Sequence, residues 1–254
     1  MANMIRSPKS GSDWNLNELQ AYNITVSTES PDIFYGMPLP TTESLSSLDA
    51  HIVSGTLNTQ GLSDETYRLM QYMDLASKPS AGQDSAILEF TKEFLRVLGF
   101  ENLKSASTDI SLIQGFATVL LVVQDDNAII TDRNPEAQVI AEAIAAFQLN
   151  NSTRGQLGQP LLDSMVIPCI TMTYTRPIFY LVPVTQELSQ AVAFGLFPPN
   201  PTVVKRCVAS PKSGRIFDGM ETPDFRQLAL RHFIAFRTVA ETHWSAFMIP
   251  AGIA

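Results

Sequence analysis

The sequence predicts an α+β fold in which a mixed central β-sheet is flanked by helices. Apolar residues recur at helical spacing before residue 100, β-branched runs typical of strands follow between residues 108 and 124, and helical patterning returns at residue 135. The chain has 254 residues, of which 45% are hydrophobic. That is enough apolar material to build a core for one large domain or two small ones.

The first 60 residues are predicted to form a partly disordered N-terminal arm, and residues 61–254 a single α+β domain. Residues 1–12 are polar and contain Gly, Ser and Pro, which is typical of a disordered tail. Residues 22–26 alternate like a strand. Residues 27–60 are dense in Ser, Thr, Pro and Gly without clear periodicity, which indicates an irregular segment wrapped on the domain.

Two helices are expected before residue 100. Ser63 is a good N-cap and is followed by acidic residues in the first turn, so a helix should run from there to about Ser77. Asp84 should cap a second helix, which carries an apolar stripe and ends at Gly99.

The middle of the chain predicts an antiparallel hairpin followed by a buried helix. Residues 108–113 are β-branched, residues 114–116 suit a turn, and residues 117–124 are apolar on both faces, as a central strand must be. Asn134 and the following proline are a strong helix start. The helix predicted over 135–149 is rich in Ala and Ile on nearly all sides, so it should be buried.

The C-terminal half predicts two further strands, a short helix, an edge strand and a long last helix. Their predicted ranges are 170–174, 178–182, 186–194, 202–208 and 223–244.

Composition and charge narrow the classes of partner and compartment. Lys and Arg number 17 against 25 Asp and Glu, so the net charge of −8 disfavours a general nucleic-acid binder, although a local basic cleft is compatible with it. Cys169 and Cys207 lie among apolar neighbours, which predicts buried free thiols. Two cysteines are too few for a disulfide framework in a chain of this length, so a reducing compartment is favoured. The longest apolar run, 119–123, is far too short to cross a bilayer. We therefore expect a cytoplasmic or nuclear protein without membrane association.

Acidic residues lie in the first strand of the predicted hairpin and at the end of the second. Asp109 lies in its first strand, and Asp125, Asp126 and Asn127 close the second, so the turn could bring Asp109 and Asp125 side by side. Glu89 lies on the preceding helix. Carboxylates are the ligands that Mg²⁺ and Mn²⁺ prefer, and such an ion stabilises charge on a phosphate. The pattern therefore indicates a divalent-metal site at Asp109 and Asp125.

Three segments, 108–113, 120–127 and 135–148, resemble a protein family of mushroom-forming fungi. Its members typically read T-D-V-C-L-L, then L-L-V-Q-E-D-K, then P-E-P-Q-L-I-A-E-A-I-A-A-F-Q. That family is in turn similar to the PD-(D/E)XK nuclease superfamily. The likeness extends over most of the chain through the shorter segments 177–180, 183–185 and 21–24.

The resemblance implies a restriction-endonuclease-like core with a catalytic centre at Asp109, Asp125, Asn127 and Gln138. It also implies that Glu89, on the preceding helix, is a further metal ligand beside Asp109 and Asp125. The sequence departs from the family at one element. The family's E-D-K element is Asp125-Asp126-Asn127 here, so one carboxylate is shorter by a methylene and the catalytic lysine is replaced by a neutral amide. In relatives of this pattern the lysine helps to position and activate the attacking water. Its loss favours a degenerate active site.

Each candidate residue also has a purely structural interpretation. Asp125, Asp126 and Asn127 favour turns and could simply end a strand. Glu89 lies off the apolar stripe and could be solvated. Gln138 and Glu142 share one helix face and either complete a polar site or cap neighbouring backbone.

We therefore predict a non-catalytic binding or assembly protein with a degenerate nuclease-like site. The alternatives are a divalent-metal-dependent phosphodiesterase and an enzyme that has reused the cleft for other chemistry. The sequence names no substrate, partner or oligomeric state.

Overall fold

The structure is a computed structural model that describes residues 9–78, 84–100, 103–106, 109–114, 118–126, 134–210, 218–245 and 247. The described helices are α1 (Leu16–Ala21), α2 (Pro31–Tyr35), α3 (Ala50–Ser54), α4 (Asp64–Ala76), α5 (Asp84–Val97), α6 (Pro135–Gln156), α7 (Gln186–Phe194) and α8 (Pro223–Ser245). The described strands are β1 (Ile24–Thr28), β2 (Leu103–Ala106), β3 (Asp109–Gln114), β4 (Thr118–Asp126), β5 (Ser164–Thr173), β6 (Arg176–Thr185) and β7 (Thr202–Val208).

The seven strands form one mixed sheet in the order β1-β7-β6-β5-β4-β3-β2. The β1–β7 and β4–β5 pairs are parallel, and the other four pairs are antiparallel. Parallel neighbours need a crossover, and α6 provides the one between β4 and β5. The predicted α+β architecture with a mixed sheet flanked by helices is therefore confirmed.

Helices cover both faces of the sheet. Phe179 of β6 packs on α8, with ring centroids 5.1 Å from Phe233 and 5.0 Å from Phe236. Tyr180, the next residue, lies on the other face beside Glu136 at the start of α6. We call these two surfaces of the sheet the α8 face and the α6 face. The helix α5 belongs to the α8 face, because its Phe94 contacts Phe233 at 5.1 Å between centroids.

The helix α6 begins and packs as its sequence predicts. The side chain of Asn134 accepts a hydrogen bond from the Ala137 amide, and Pro135 occupies the first turn. Ile140, Ile144 and Phe147 are at most 1% exposed. The helix continues seven residues beyond the predicted end at 149, to Gln156. Its last turns are polar, so the apolar pattern that predicts a buried helix stops before the helix does.

The described part of the segment predicted as an N-terminal arm, residues 9–60, contains several short regular elements. The strand β1 forms an edge of the sheet, and α2, α3 and a 3-10 helix over Thr42–Ser47 occupy the segment predicted to be irregular. These helices have five or six residues, which is too short to show a periodic apolar pattern. Residues 1–8 of the predicted tail lie outside the described residues, and Gly11–Asp13 form a 3-10 helix against α6.

Arg226 ties this N-terminal segment to α8. Its guanidinium is 1% exposed and donates to the carbonyl oxygens of Ile52 and Gly55 at 3.1 and 2.8 Å, at the end of α3. It also donates to the Met220 carbonyl at 2.6 Å. Burial lowers the pKa of Arg226 to about 10, so the group stays charged at neutral pH. A buried cation that satisfies carbonyls at a helix end fixes α3 on the core.

Two further differences concern strands. The strand β7 was predicted at an edge, but it lies inside the sheet between β1 and β6, so that prediction is wrong. The strand β2, for which the sequence gives no clear signal, forms the opposite edge from β1. Across the described ranges, no helix combines the length and the apolar character that crossing a membrane requires.

Candidate functional site

The predicted acidic residues lie at the hairpin ends that the sequence indicates. Asp109 is the first residue of β3, and Asp125 is the penultimate residue of β4. The antiparallel register pairs Asp109 with Gln124, not with Asp125. On the other side of β4, Asp125 is paired with Met172 of β5. The side chains of Asp109 and Asp125, and the whole of Asn127, lie outside the described residues.

This register assigns the two strand positions to different faces of the sheet. Consecutive strand positions alternate between faces, so position 109 shares a face with position 124, and position 125 belongs to the other face. Position 125 aligns through Met172 and Ile170 with Phe179, which packs on α8. The register would have to shift by one residue for both positions to share a face. A metal ion shared by Asp109 and Asp125 stays a prediction.

Gln138 lies on the α6 face and is 6% exposed. Its Nε2 donates to Oε1 of Glu142 at 3.2 Å, one helical turn later. The 3-10 helix near Gly11 approaches the same place, where a β-carbon on Gly11 would lie 3.6 Å from Cγ of Glu142. Gln138 and Glu142 were predicted either to complete a polar site or to cap neighbouring backbone. This contact joins the two side chains to each other, so it does not distinguish between these interpretations.

Glu89 lies on α5 and therefore on the α8 face. Its side chain is 39% exposed, and its Oε1 is 3.5 Å from Nζ of Lys92 in the next turn. Gln138 and Glu89 are thus separated by the sheet. Four of the predicted site positions are divided as well, with Gln138 and position 109 on the α6 face and Glu89 and position 125 on the α8 face.

Within the part of the chain that the structure describes, no three His, Cys, Asp or Glu side chains form a group that could hold a metal ion. Asp109 and Asp125 are not included in that statement, because their side chains are not described. The Mg²⁺ or Mn²⁺ predicted for the hairpin acids therefore stays a prediction. Carboxylate oxygens remain the right chemistry for such an ion.

A row of polar side chains crosses three strands on the α6 face, and it was not predicted. Thr28 of β1 is paired with Arg206 of β7, which is paired with Tyr180 of β6. Arg206 donates to Thr28 Oγ1 at 2.7 Å and to Glu136 Oε2 of α6 at 2.7 Å. Burial and the nearby Glu136 carboxylate raise the pKa of Tyr180, so this phenol keeps its proton. The row anchors the start of α6 to the β1 edge.

A second polar cluster is buried on the α8 face. Tyr35 Oη lies 2.9 Å from Nδ1 of His232, and Sγ of Cys207 lies 4.0 Å from the same nitrogen. The His232 ring stacks on Phe179 at 5.8 Å between centroids. These side chains come from α2, α8, β7 and β6, so the cluster joins the short N-terminal helix to the sheet and to the last helix.

The electrostatics of this cluster argue against a reactive thiol. Burial raises the pKa of Cys207 to about 11 and lowers the pKa of His232 to about 4. Both groups are therefore neutral at neutral pH, whereas a catalytic Cys–His pair needs a thiolate stabilised by its partner. Cys169 and Cys207 are buried thiols that form no disulfide, as the sequence predicts.

Sequence reasoning missed both clusters for the same reason. Tyr35 and His232 are 197 residues apart, and Arg206 and Glu136 are 70 apart. No short motif connects such pairs. One local feature pointed to the first cluster. Arg206 is a charged residue within a predicted strand, and such a side chain needs a polar partner when another element buries it.

Comparisons with known proteins add no assignment to this geometry. No protein-family model matches the chain, and no curated protein is significantly similar to it.

Proposed function

We propose that this chain is a PD-(D/E)XK-like protein with a restriction-endonuclease-like core and a degenerate active site, and that it acts as a non-catalytic binding or assembly protein in the cytoplasm or nucleus. The register of β3 and β4 is the observation that carries this proposal. It assigns positions 109 and 125 to different faces, whereas a nuclease of this type needs both carboxylates on one ion.

Asn127 supports the same conclusion by a separate argument. A lysine at this position would supply a positive charge beside the scissile phosphate and the attacking water. An amide offers only a dipole, and losing one such electrostatic contact typically lowers the rate by ~10²–10³-fold. The shorter side chain of Asp125 reaches less far toward an ion whose geometry tolerates little displacement. The net charge of −8 gives no help in holding a polyanion.

A metal-dependent phosphodiesterase is the second candidate, because two acids of the family pattern are kept. Asp109 and Asp125 still flank one hairpin, and Asp109 begins β3 where the pattern requires an acid. A one-residue shift in register would bring their positions onto the same face. The two candidates therefore differ in a property that a direct assay detects.

The test is hydrolysis of single- and double-stranded DNA and RNA with Mg²⁺ or Mn²⁺. We expect no detectable cleavage by the wild type. The variant Asn127→Lys alone should also stay inactive, because a lysine does not move position 109 across the sheet. Asp74→Ala, an exposed acidic residue of α4, is the matched control for Asp109→Ala. Metal-dependent cleavage by the wild type that Asp109→Ala abolishes and Asp74→Ala preserves would contradict the proposal and establish the phosphodiesterase.

A further inference from the structure

An apolar groove with a volume of about 340 Å³ opens on the α8 face of the sheet. Its floor is formed by β5, β6 and β7, one wall by α2, and the other by the last turns of α8. The apolar side chains of the lining include Val166, Leu181, Pro183 and Val203 on the floor and Ile33 on the α2 wall. Ile33 and Val203 are 66% and 49% exposed, so part of this apolar surface is open to water. Exposed apolar surfaces of this kind mark places where another segment or molecule docks.

The basic side chains of the groove do not give it a net charge at neutral pH. Lys205 lines the groove, but its Nζ lies 3.3 Å from Oε1 of Glu29, so the ammonium is already paired with a carboxylate. His243 is the other basic residue of the described lining, and burial lowers its pKa below the ordinary value of 6.5, so its imidazole is neutral. The lining therefore favours an uncharged occupant over an ion of either sign.

The chain leaves α8 beside this groove. Val239 and His243, which line the groove, belong to the last two turns of α8, and the helix ends at Ser245. Phe247 follows and still packs against the core, while its amide donates to the Trp244 carbonyl at 2.8 Å. Four residues of helix rise by about 6 Å, so the chain beyond Phe247 starts close to the groove wall.

The next segment, residues 248–254, has the chemistry that the groove favours. It reads Met-Ile-Pro-Ala-Gly-Ile-Ala and lies outside the described residues. None of its side chains is charged and none is an amide or a hydroxyl, whereas segments that stay in water are typically polar and charged. Pro250 disfavours helical backbone at Ile249 and so favours an extended chain. Seven extended residues span up to ~25 Å, and the floor from β5 to β7 is two strand spacings, or about 10 Å, across.

We propose that residues 248–254 dock in the apolar groove of their own molecule, with Ile249 and Ile253 on its floor. These two positions share one side of an extended chain. The covalent connection through α8 gives the segment an effective concentration on the order of millimolar, so weak apolar contacts suffice to fill the groove. The docked segment would cover Ile33 and Val203. This inference stands on the groove and the segment and does not depend on the proposed function.

Disulfide trapping in the 254-residue chain tests the proposal. The variant Val203→Cys/Ile253→Cys places one thiol on the half-exposed floor and one in the segment. The native thiols of Cys169 and Cys207 are buried and should not compete. Under mild oxidation we expect a disulfide within one molecule, detected by non-reducing electrophoresis and peptide mass spectrometry. The pair Ile33→Cys/Ile253→Cys is a second variant that tests the α2 wall.

Two controls separate docking from chance encounters of a tethered thiol. In Leu149→Cys/Ile253→Cys the first thiol lies on α6, across the sheet, at a position that is 50% exposed like Val203. This pair should form its disulfide at least roughly tenfold more slowly than the floor pair. Adding Ile249→Asp to the floor pair should slow its disulfide formation roughly tenfold, because a carboxylate opposes entry into an apolar lining.

Three results would overturn the proposal. The first is disulfide formation by neither groove pair, or at the rate of the Leu149 control. The second is a floor pair whose rate does not change when Ile249→Asp is added. The third is a disulfide that forms only between two molecules and speeds up with protein concentration, which would assign the groove to a second copy of the chain.

Discussion

The two faces of the sheet are covered in different ways. One helix, α6, covers much of the α6 face, and it comes from a single segment between the neighbouring strands β4 and β5. The α8 face is assembled from α2, α5 and α8, whose contacting residues Tyr35 and His232 are 197 positions apart. The comparison teaches that a face built by one segment can be predicted from sequence, whereas a face built by distant segments cannot.

The packing chemistry of the two faces differs as well. The helix α6 presents small buried side chains, including Ala137, Ala143 and Ala146, which permit close approach of a helix to a sheet. The α8 face is filled by aromatic rings that meet edge to face or tilted, such as Phe94, Phe179 and Phe233. A polar group added to the α6 face should therefore destabilise the fold. On the α8 face, protonation of the buried His232 should destabilise it.

The largest effect is expected on the α6 face. Replacing Ile144, which is 1% exposed, by Asp would bury a charge without a partner and should reduce the free energy of unfolding by ~3–5 kcal/mol. The measurement is chemical denaturation. Ala145→Asp is the matched control, because Ala145 is the next residue of the same helix and is exposed. If both variants lost the same small amount, α6 would have to be peripheral to the core.

A smaller, pH-dependent effect is expected on the α8 face. Burial lowers the pKa of His232 to about 4, from an ordinary value of 6.5. Between these values the unfolded chain binds a proton that the folded chain does not, so stability falls as the pH drops from about 6.5 to about 4. The loss should reach at most on the order of 3 kcal/mol. The measurement is the free energy of unfolding across this pH range.

The variant His232→Gln isolates that contribution. An amide keeps hydrogen-bonding capacity for Tyr35 but does not titrate, so the variant should show a flatter pH profile than the wild type. Burial also lowers the pKa of His243, so His243→Gln should flatten the profile too, but less, because this side chain is only half-buried. A profile in His232→Gln as steep as that of the wild type would place the pH sensitivity elsewhere.

The smallest effect is expected at Glu89. Its pairing with Lys92 is long, at 3.5 Å, and partly exposed, so Glu89→Gln should change the free energy of unfolding by ~0–0.5 kcal/mol. The informative measurement is the melting temperature with and without Mn²⁺. If Glu89 takes no part in a metal site, Mn²⁺ should affect the variant and the wild type equally. A stabilisation by Mn²⁺ that Glu89→Gln removes would join Glu89 to the hairpin acids and sharpen the phosphodiesterase alternative.

The features predicted correctly from the sequence are those that depend on neighbouring residues, such as helix starts and the hairpin. The capping residues Ser63 and Asn134 start α4 and α6 as expected, because a cap needs only its own next turn. The hairpin β3–β4 is also local, and its antiparallel pairing is as predicted. The register within that hairpin was not predictable, since apolar runs such as 119–123 fit either face equally well.

Long-range partners account for the remaining differences. The inner position of β7 depends on β1, which is contributed by residues about 178 positions earlier. The partner of Arg206 is a helix-start glutamate that serves equally well as an ordinary first-turn acid. The strand pattern of β7 and the first-turn position of Glu136 are each explained by the neighbouring sequence alone. The sequence around them therefore gives no indication of a distant contact.

The parallel pairing of β1 with β7 has a consequence for the order in which the molecule is made. The strand β1 is synthesised before β7, its neighbour in the described sheet, which ends at Val208. At ~5–20 residues per second, roughly 10–40 s of synthesis separate the two strands. During that interval β1 lacks the strand with which it pairs in the described sheet. The nascent chain therefore carries an unpaired β1 edge until β7 has been made, and such an edge can pair with other chains.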